Sequence, residues 1–291
     1  MPALPLMMIL AMMLWGGGWP ALKILTESVP WEVATFWRFA LMTLAFFPVL
    51  WWHKAPFHVS PRALGWAGLS AMLNALFMGL SFLGVSVGTA GAGGVVITTL
   101  SPVMTVLIAV VLLGMKPSFR HIAGLVIGIF GGMVMIQIWD SELLFHGGNL
   151  IFVLCALVWA ALTLSAQRSH LHLDPVHYTF LLGLIATVIM FFVAFPHGIG
   201  EVFEQDLRFW GAMVYLAVLG QTVASTIYFI ASGKLGSGRA SAYMFLVPVF
   251  ALLSSWIVLG ELPSLPLIAG GTVCIIAVYL INSKPGNTGS R

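Results

Sequence analysis

The stretch "LVPVFALLSSWIVLGE", Leu246 to Glu261, carries a proline near its start and a charge at its end. Nearly the same phrase, "LSPVMTVLIAVVLLGM", runs from Leu100 to Met115. Pro102 and Pro248 stand 146 residues apart, as do Gly114 and Gly260, and 146 is half of the 291-residue chain. Laying residues 96–132 on 242–278 at that offset gives twelve identities in 37 positions, among them Pro117/Pro263, Ser118/Ser264 and Gly124/Gly270. An apolar alphabet produces some matches unaided, but prolines and glycines matched at one offset mark an internal repeat.

The alphabet is indeed apolar. Sixty per cent of residues are hydrophobic and 7% are charged, with a mean hydropathy of +1.05. A soluble domain carries about 25% charged residues because its surface faces water. The main solvent of this chain is therefore lipid. A membrane helix needs about 20 mostly apolar residues to cross the hydrocarbon. Reading between charge and turn signals gives ten spans, at 3–22, 31–52, 63–85, 90–113, 120–138, 148–166, 175–195, 208–230, 239–260 and 264–282. The runs are continuously apolar rather than alternating with period two, which argues against a closed β-barrel. Residues 1–22 have no basic n-region and no A-x-A-like site, so they read as a retained first helix rather than a cleaved signal. Cys155 and Cys274 both lie inside apolar runs and read as small packing side chains.

Orientation follows from the basic residues. With the N-terminus inside, the inner loops and tail hold Lys54, Arg62, Lys116, Arg120, Arg168, Lys234, Arg239, Lys284 and Arg291, and the outer loops hold Lys23 and Arg208. Asp140, Glu142, Glu201, Glu204 and Asp206 fall outside. Both termini are thus expected in the cytoplasm. The net charge of +3 reflects this inner rim and gives no argument for nucleic acid. Trp31, Trp51, Trp52, Trp66, Trp139 and Trp210 sit near span ends, where indoles favour the interface.

Span starts shift by 144 or 145 residues in four of the five pairs and by 149 in the fourth, so the chain reads as two five-helix halves, 1–143 and 144–291. Five is odd, so the second half enters the bilayer upside down. Inverted repeats are a transporter architecture, with the substrate site near mid-membrane between the halves. Pro102 and Pro248 then occupy related places in the fourth span of each half, where a lost backbone donor bends or loosens the helix.

The pattern resembles the EamA-type ten-helix branch of the drug/metabolite transporter superfamily. The resemblance rests on Trp15-Gly16, Arg38-Phe39 and the Pro-to-Leu-Gly stretches 102–114 and 248–260, the second closing with Glu261; Met115 stands where the first half would carry that acid. It implies a secondary carrier working by alternating access. The aromatic- and Met-rich character is most similar to amino-acid exporters of the YddG type.

Several residues are candidates for a central site. "WGGGWP", Trp15 to Pro20, makes a flexible or closely approached segment, with Gly17 and Pro20 as gating positions. Trp159 lies 144 residues after Trp15, so the two indoles are repeat mates that either stack on an apolar substrate or pack against glycines. Asn74, Met78 and Ser81 share one helical face, and Gln221, Ser225 and Tyr228 repeat that spacing 147 residues later. Amides and hydroxyls repeated in both halves suit a zwitterionic metabolite, or else serve interhelical hydrogen bonds. Arg38 is the one strong base inside a span. It either binds a substrate carboxylate, pairs with Glu32 or nearby carbonyls, or snorkels outward. Lys23 reads as an interface anchor. "HLHLDPVH", His170 to His177, looks like a metal cluster but reads as part of the basic inner rim. Neither a metal nor a cofactor is expected, and the spans show no cluster of acids and histidines suited to a membrane enzyme. The expected partners are a small-molecule substrate and the bilayer. The oligomeric state is left open, and a monomer suffices.

Overall fold

The computed structural model describes residues 3–53, 55–57, 59–88, 90–135, 137, 148–259 and 264–283. The expectations attached to Lys54, Trp139, Asp140, Glu142, Gly260, Glu261, Pro263, Lys284 and Arg291 lie outside these residues. Among the described residues nine helices are long and apolar enough to cross a membrane, and a tenth, Phe119–Met135, is shorter. The protein is an all-α, multi-pass membrane protein.

Start and stop signals place the helices. Ser60 caps the third span, its hydroxyl accepting from the Ala63 N–H at 3.2 Å, and Asp174 caps the seventh by accepting from the Val176 N–H at 2.9 Å. Each cap is followed by a proline, Pro61 or Pro175, at the position where a missing N–H costs nothing. The first span runs past Lys23 to Ser28, further than charge alone suggested. Lys23 lies on an exposed face and meets Glu27 at 3.8 Å, so it need not end the helix. Pro30 does end it, since the residue before a proline avoids the helical region.

Contacts respect an exchange of the two halves. The third span packs on the sixth as the first packs on the eighth; the fourth packs on the sixth as the first does on the ninth. The third also meets the seventh as the second meets the eighth. Three pairs of repeat mates touch each other directly. Trp15 and Trp159 meet with ring centroids 5.2 Å apart, the Thr43 and Thr187 hydroxyls lie 3.1 Å apart, and the Cys274 thiol donates to the Gly128 carbonyl at 3.8 Å. A residue can touch its own mate only beside a pseudo-two-fold axis, so these pairs trace that axis across the bundle. In an inverted repeat the axis lies in the membrane plane.

Glycines let the fifth and tenth spans close on one another. A methyl group at Gly131 would stand 2.8 Å from the Gly270 carbonyl, and one at Gly124 would press into the Ile281 side chain. Small residues that permit backbone approach are the usual adhesive between helices in lipid, where apolar burial supplies no driving force.

The related prolines behave differently. Pro102 sits in an uninterrupted helix, Ala90–Leu113. Ahead of Pro248 the chain tightens into a 3₁₀ turn, Tyr243–Leu246, before Val247–Leu259 continues as α-helix. The cause is local. Pro248 has no N–H for the Met244 carbonyl, which instead accepts from the Val247 N–H one residue earlier.

Candidate functional site

Both halves contribute to a cavity of about 110 Å³ beside the pseudo-two-fold axis. Arg38, Asn74, Met78, Ser81, Trp159, Gln221, Ser225 and Trp15 line it, joined by Leu14, Gly18, Trp19, Leu22, Phe77, Ile97, Thr98, Leu216, Gly220, Met244 and Val247. Eight of the nine substrate-site candidates thus line this one cavity.

The first span reaches this cavity because it breaks. Its two helices, Ala3–Gly16 and Gly18–Ser28, part at Gly17. Pro20 has no N–H for the Gly16 carbonyl, and each glycine is pressed by a neighbour. A methyl group at Gly16 would stand 2.8 Å from the Val247 carbonyl and from the Ala251 N–H; one at Gly17 would meet the Tyr215 hydroxyl at 2.5 Å. That hydroxyl donates to the Leu14 carbonyl at 2.9 Å. The Trp15 indole is fixed by its Nε1–H, which donates to the Gly220 carbonyl at 2.9 Å. Gly17, Pro20, Pro102 and Pro248 do not themselves line the cavity; they shape helices that do.

The eighth span departs from the α-helix where it faces the cavity. Tyr215–Ser225 is a π-helix of 11 residues, flanked by α-helix on both sides. Side chains follow the wider turn: the Thr222 hydroxyl donates to the Ala217 carbonyl at 3.0 Å and Ser225 to Gly220 at 3.3 Å, both five residues back. A π segment is rare and recurs at functional sites. It also alters the expected face. Gln221 and Ser225 line the cavity, while Tyr228, beyond the π segment, is fully buried behind the tryptophans, 5.1 Å from Trp15 and 5.6 Å from Trp159. Its hydroxyl pairs with that of Thr163 at 3.0 Å.

Arg38 decides the electrostatics. Its Nη2 donates to Gln221 Oε1 at 3.0 Å, both side chains being buried. Glu32 meets His197 at 3.7 Å instead, so of the readings open for Arg38 the structure favours a polar partner inside the bundle over a pair with Glu32. The cavity hydroxyls are occupied locally: Ser81 donates to Phe77 at 2.7 Å and Thr98 to Gly94. Asn74 Oδ1 and Arg38 Nε have no hydrogen-bond partner, although both are buried. A buried polar atom without a partner is costly unless something visits it. Among the described lining residues there is no Asp, Glu or His. Sequence reasoning missed Trp19, one helical turn after Trp15, and Phe77, whose ring lies 4.8 Å from Trp159. Their spacing from residues already singled out was the available signal.

The EamA-like transporter family model matches twice, over residues 4–137 and 146–283. The chain belongs to the EamA-like transporter family. An uncharacterized transporter of Archaeoglobus fulgidus is 25% identical, covering 96% of this chain and 97% of that protein. The uncharacterized transporter YoaV of Bacillus subtilis is 22% identical over 92% of each. A probable terminal-alkyne amino-acid exporter of Streptantibioticus cattleyicolor is 26% identical, over 69% of this chain and 65% of its own length. A solved crystal structure superposes with a TM-score of 0.73 at 17% identity, covering 97% of this chain and 96% of that one, which speaks for the fold alone. This EamA-like protein is a transporter of small molecules across a membrane and not an enzyme.

Proposed function

We propose that this EamA-like transporter exports amino acids, including aromatic and apolar ones, by alternating access around the central cavity, without obligatory proton coupling. The observation that carries the reading is Arg38, a buried guanidinium in a cavity wall that holds no acid among its described residues. A fixed cation in a low-dielectric chamber selects a carboxylate and repels cationic drugs. Asn74 Oδ1 offers an acceptor for the ammonium end of a zwitterion. Trp15, Trp19, Phe77 and Trp159 offer ring faces and edges for an apolar side chain. The amino-acid exporter among the relatives supports the same substrate class. The charge bias supports an orientation with both termini in the cytoplasm of a bacterial-type inner membrane.

Proton-driven carriers relay the proton through acids or histidines within the bilayer. No described group of that kind lines this cavity, which is the basis for a facilitative or exchange mechanism. The test is counterflow in proteoliposomes against an amino-acid panel and the matching amines that lack the carboxylate. Amino acids should exchange and amines should not. Movement of the amines with exclusion of the amino acids would overturn the proposal.

A further inference from the structure

The segment His170 to His177 does not form a cluster by itself. His170 turns inward, where a methyl group at Gly233 would meet its ring, and His172 is exposed. His177 instead meets a histidine 124 positions earlier, His53, which follows the last residue of the second span. His53 Nε2 lies 2.8 Å from Asp174 Oδ1, and His177 Nδ1 lies 3.9 Å from the same oxygen. One donor atom from each residue falls within 4.8 Å of the other two.

We propose that His53, Asp174 and His177 form a binding site for a divalent transition-metal cation of the zinc class, joining the ends of the second and seventh spans. Tetrahedral zinc with ligands at about 2.0 to 2.1 Å sets its donor atoms roughly 3.4 Å apart. The 2.8 and 3.9 Å separations need changes of about half an ångström, and the two imidazoles, whose donors lie within 4.8 Å, close by at most about 1.4 Å shared between them. The independent sign of a ligand is His177 Nδ1. That side chain is 3% exposed and its Nδ1 has no hydrogen-bond partner, a state that burial penalises and a cation would relieve. His53 and Asp174 are 27% and 32% exposed, so an ion can arrive from water and keep a water at its fourth position. Phe57 covers the other side, its ring 4.7 Å from that of His177. Burial alone would raise the Asp174 carboxyl, but the Val176 N–H, His53 and the His177 N–H outweigh it and hold it below its ordinary value. It is therefore an anionic ligand at neutral pH. Two imidazoles and one carboxylate match the ligand set of open zinc sites. A bound ion would clamp one end of two spans that pack along each other.

The test uses untagged, chelator-stripped, full-length protein in detergent, titrated with Co²⁺ alone and then with Zn²⁺ as competitor. One Co²⁺ per chain should bind, with the intense visible bands of four-coordinate cobalt, and Zn²⁺ should displace it and raise the melting temperature. Asp174→Asn keeps a good helix cap, so its metal-free melting temperature should match the parent. It should nevertheless weaken Co²⁺ binding by at least about 100-fold, the upper end of what losing even a residue behind a ligand costs. His53→Ala should weaken it equally, and His172→Ala should bind like the parent. The faint spectrum of six-coordinate cobalt, or tight binding that survives Asp174→Asn or His53→Ala, would overturn the proposal. So would a parent protein that binds no better than these variants.

Discussion

Replacing Gln221 separates stability from transport in opposite directions. In the parent, Gln221 Oε1 accepts from Arg38 Nη2 at 3.0 Å, leaving the guanidinium's charge uncancelled. Gln221→Leu removes a hydrogen bond to a charged group, worth about 1.5 to 3 kcal/mol, and should lower the melting temperature in detergent. It leaves Arg38 available, so apparent substrate affinity should move by less than about tenfold, the change that 1.4 kcal/mol produces. Gln221→Glu has nearly the same shape but places a carboxylate where the substrate's own carboxylate is proposed to sit. Two unit charges about 4 Å apart at an effective dielectric of 20 interact by about 4 kcal/mol. That is roughly a thousandfold in affinity, and at least about 100-fold should be lost after relaxation. The Glu variant should be at least as stable as the parent, since Arg38 then has an ion-pair partner. The assay is counterflow of labelled leucine and phenylalanine in proteoliposomes, beside a thermal melt of the same preparations. A Gln221→Glu variant that exchanges amino acids with parental affinity would refute Arg38 as the carboxylate anchor.

Trp159→Ala should cut exchange of aromatic substrates by about twofold to tenfold with folding largely retained, given about 0.5 to 1.5 kcal/mol for a lost ring pair with the substrate; unchanged transport in both Trp15→Ala and Trp159→Ala would remove the stacking wall. Gly16→Ala should lower the melting temperature by an overpacking cost of about 1 to 3 kcal/mol, because its methyl group would meet backbone at Val247 and Ala251; an unshifted melt would show that the spans can part there. Cys155 and Cys274 are buried, so single cysteines can report topology: Lys116→Cys should resist an impermeant reagent on intact cells and Arg208→Cys should react. The reverse pattern would invert the protein. An imposed pH gradient without a substrate gradient should drive no accumulation, and accumulation abolished by a protonophore would restore proton coupling.

The helices were legible because lipid demands long apolar runs and the repeat shows itself in matched prolines and glycines. The meeting of Trp15 with Trp159 was legible from their matched places in the two halves, and Asn74 and Gln221, singled out for matched spacing, line the same cavity. Tyr228 was harder, because i, i+4, i+7 spacing assumes an α-helix and the π segment ahead of it turns the residue away from the cavity. The contrast between Pro102 and Pro248 was also hidden: whether a helix absorbs a proline depends on which neighbour satisfies the freed carbonyl. Arg38 had three open partners in sequence, and Gln221 lies 183 residues away from it. Asp174 and His177 stood in a segment already noted for its histidines, but His53, 121 residues before Asp174, carries no local signal.

Trp15 and Trp159 touch beside the pseudo-two-fold axis, whereas Arg38 does not lie among the mate pairs that mark it. Its counterpart 144 residues later is Leu182, a fully buried aliphatic side chain. If the halves trade conformations during a cycle, an on-axis pair is carried into itself, and the aromatic floor stays central whichever side is open. The charge is not carried into itself. The inward-open and outward-open forms are then not mirror equivalents, and they hold a carboxylate with different strength. Detailed balance limits what this can achieve: for a carrier with no coupling ion, a higher affinity at one face must be matched by a compensating cost in reorienting the empty carrier. Under the proposed mechanism an arginine without a symmetric counterpart would set the concentration range in which each face works, and net direction would be left to the substrate's own gradient.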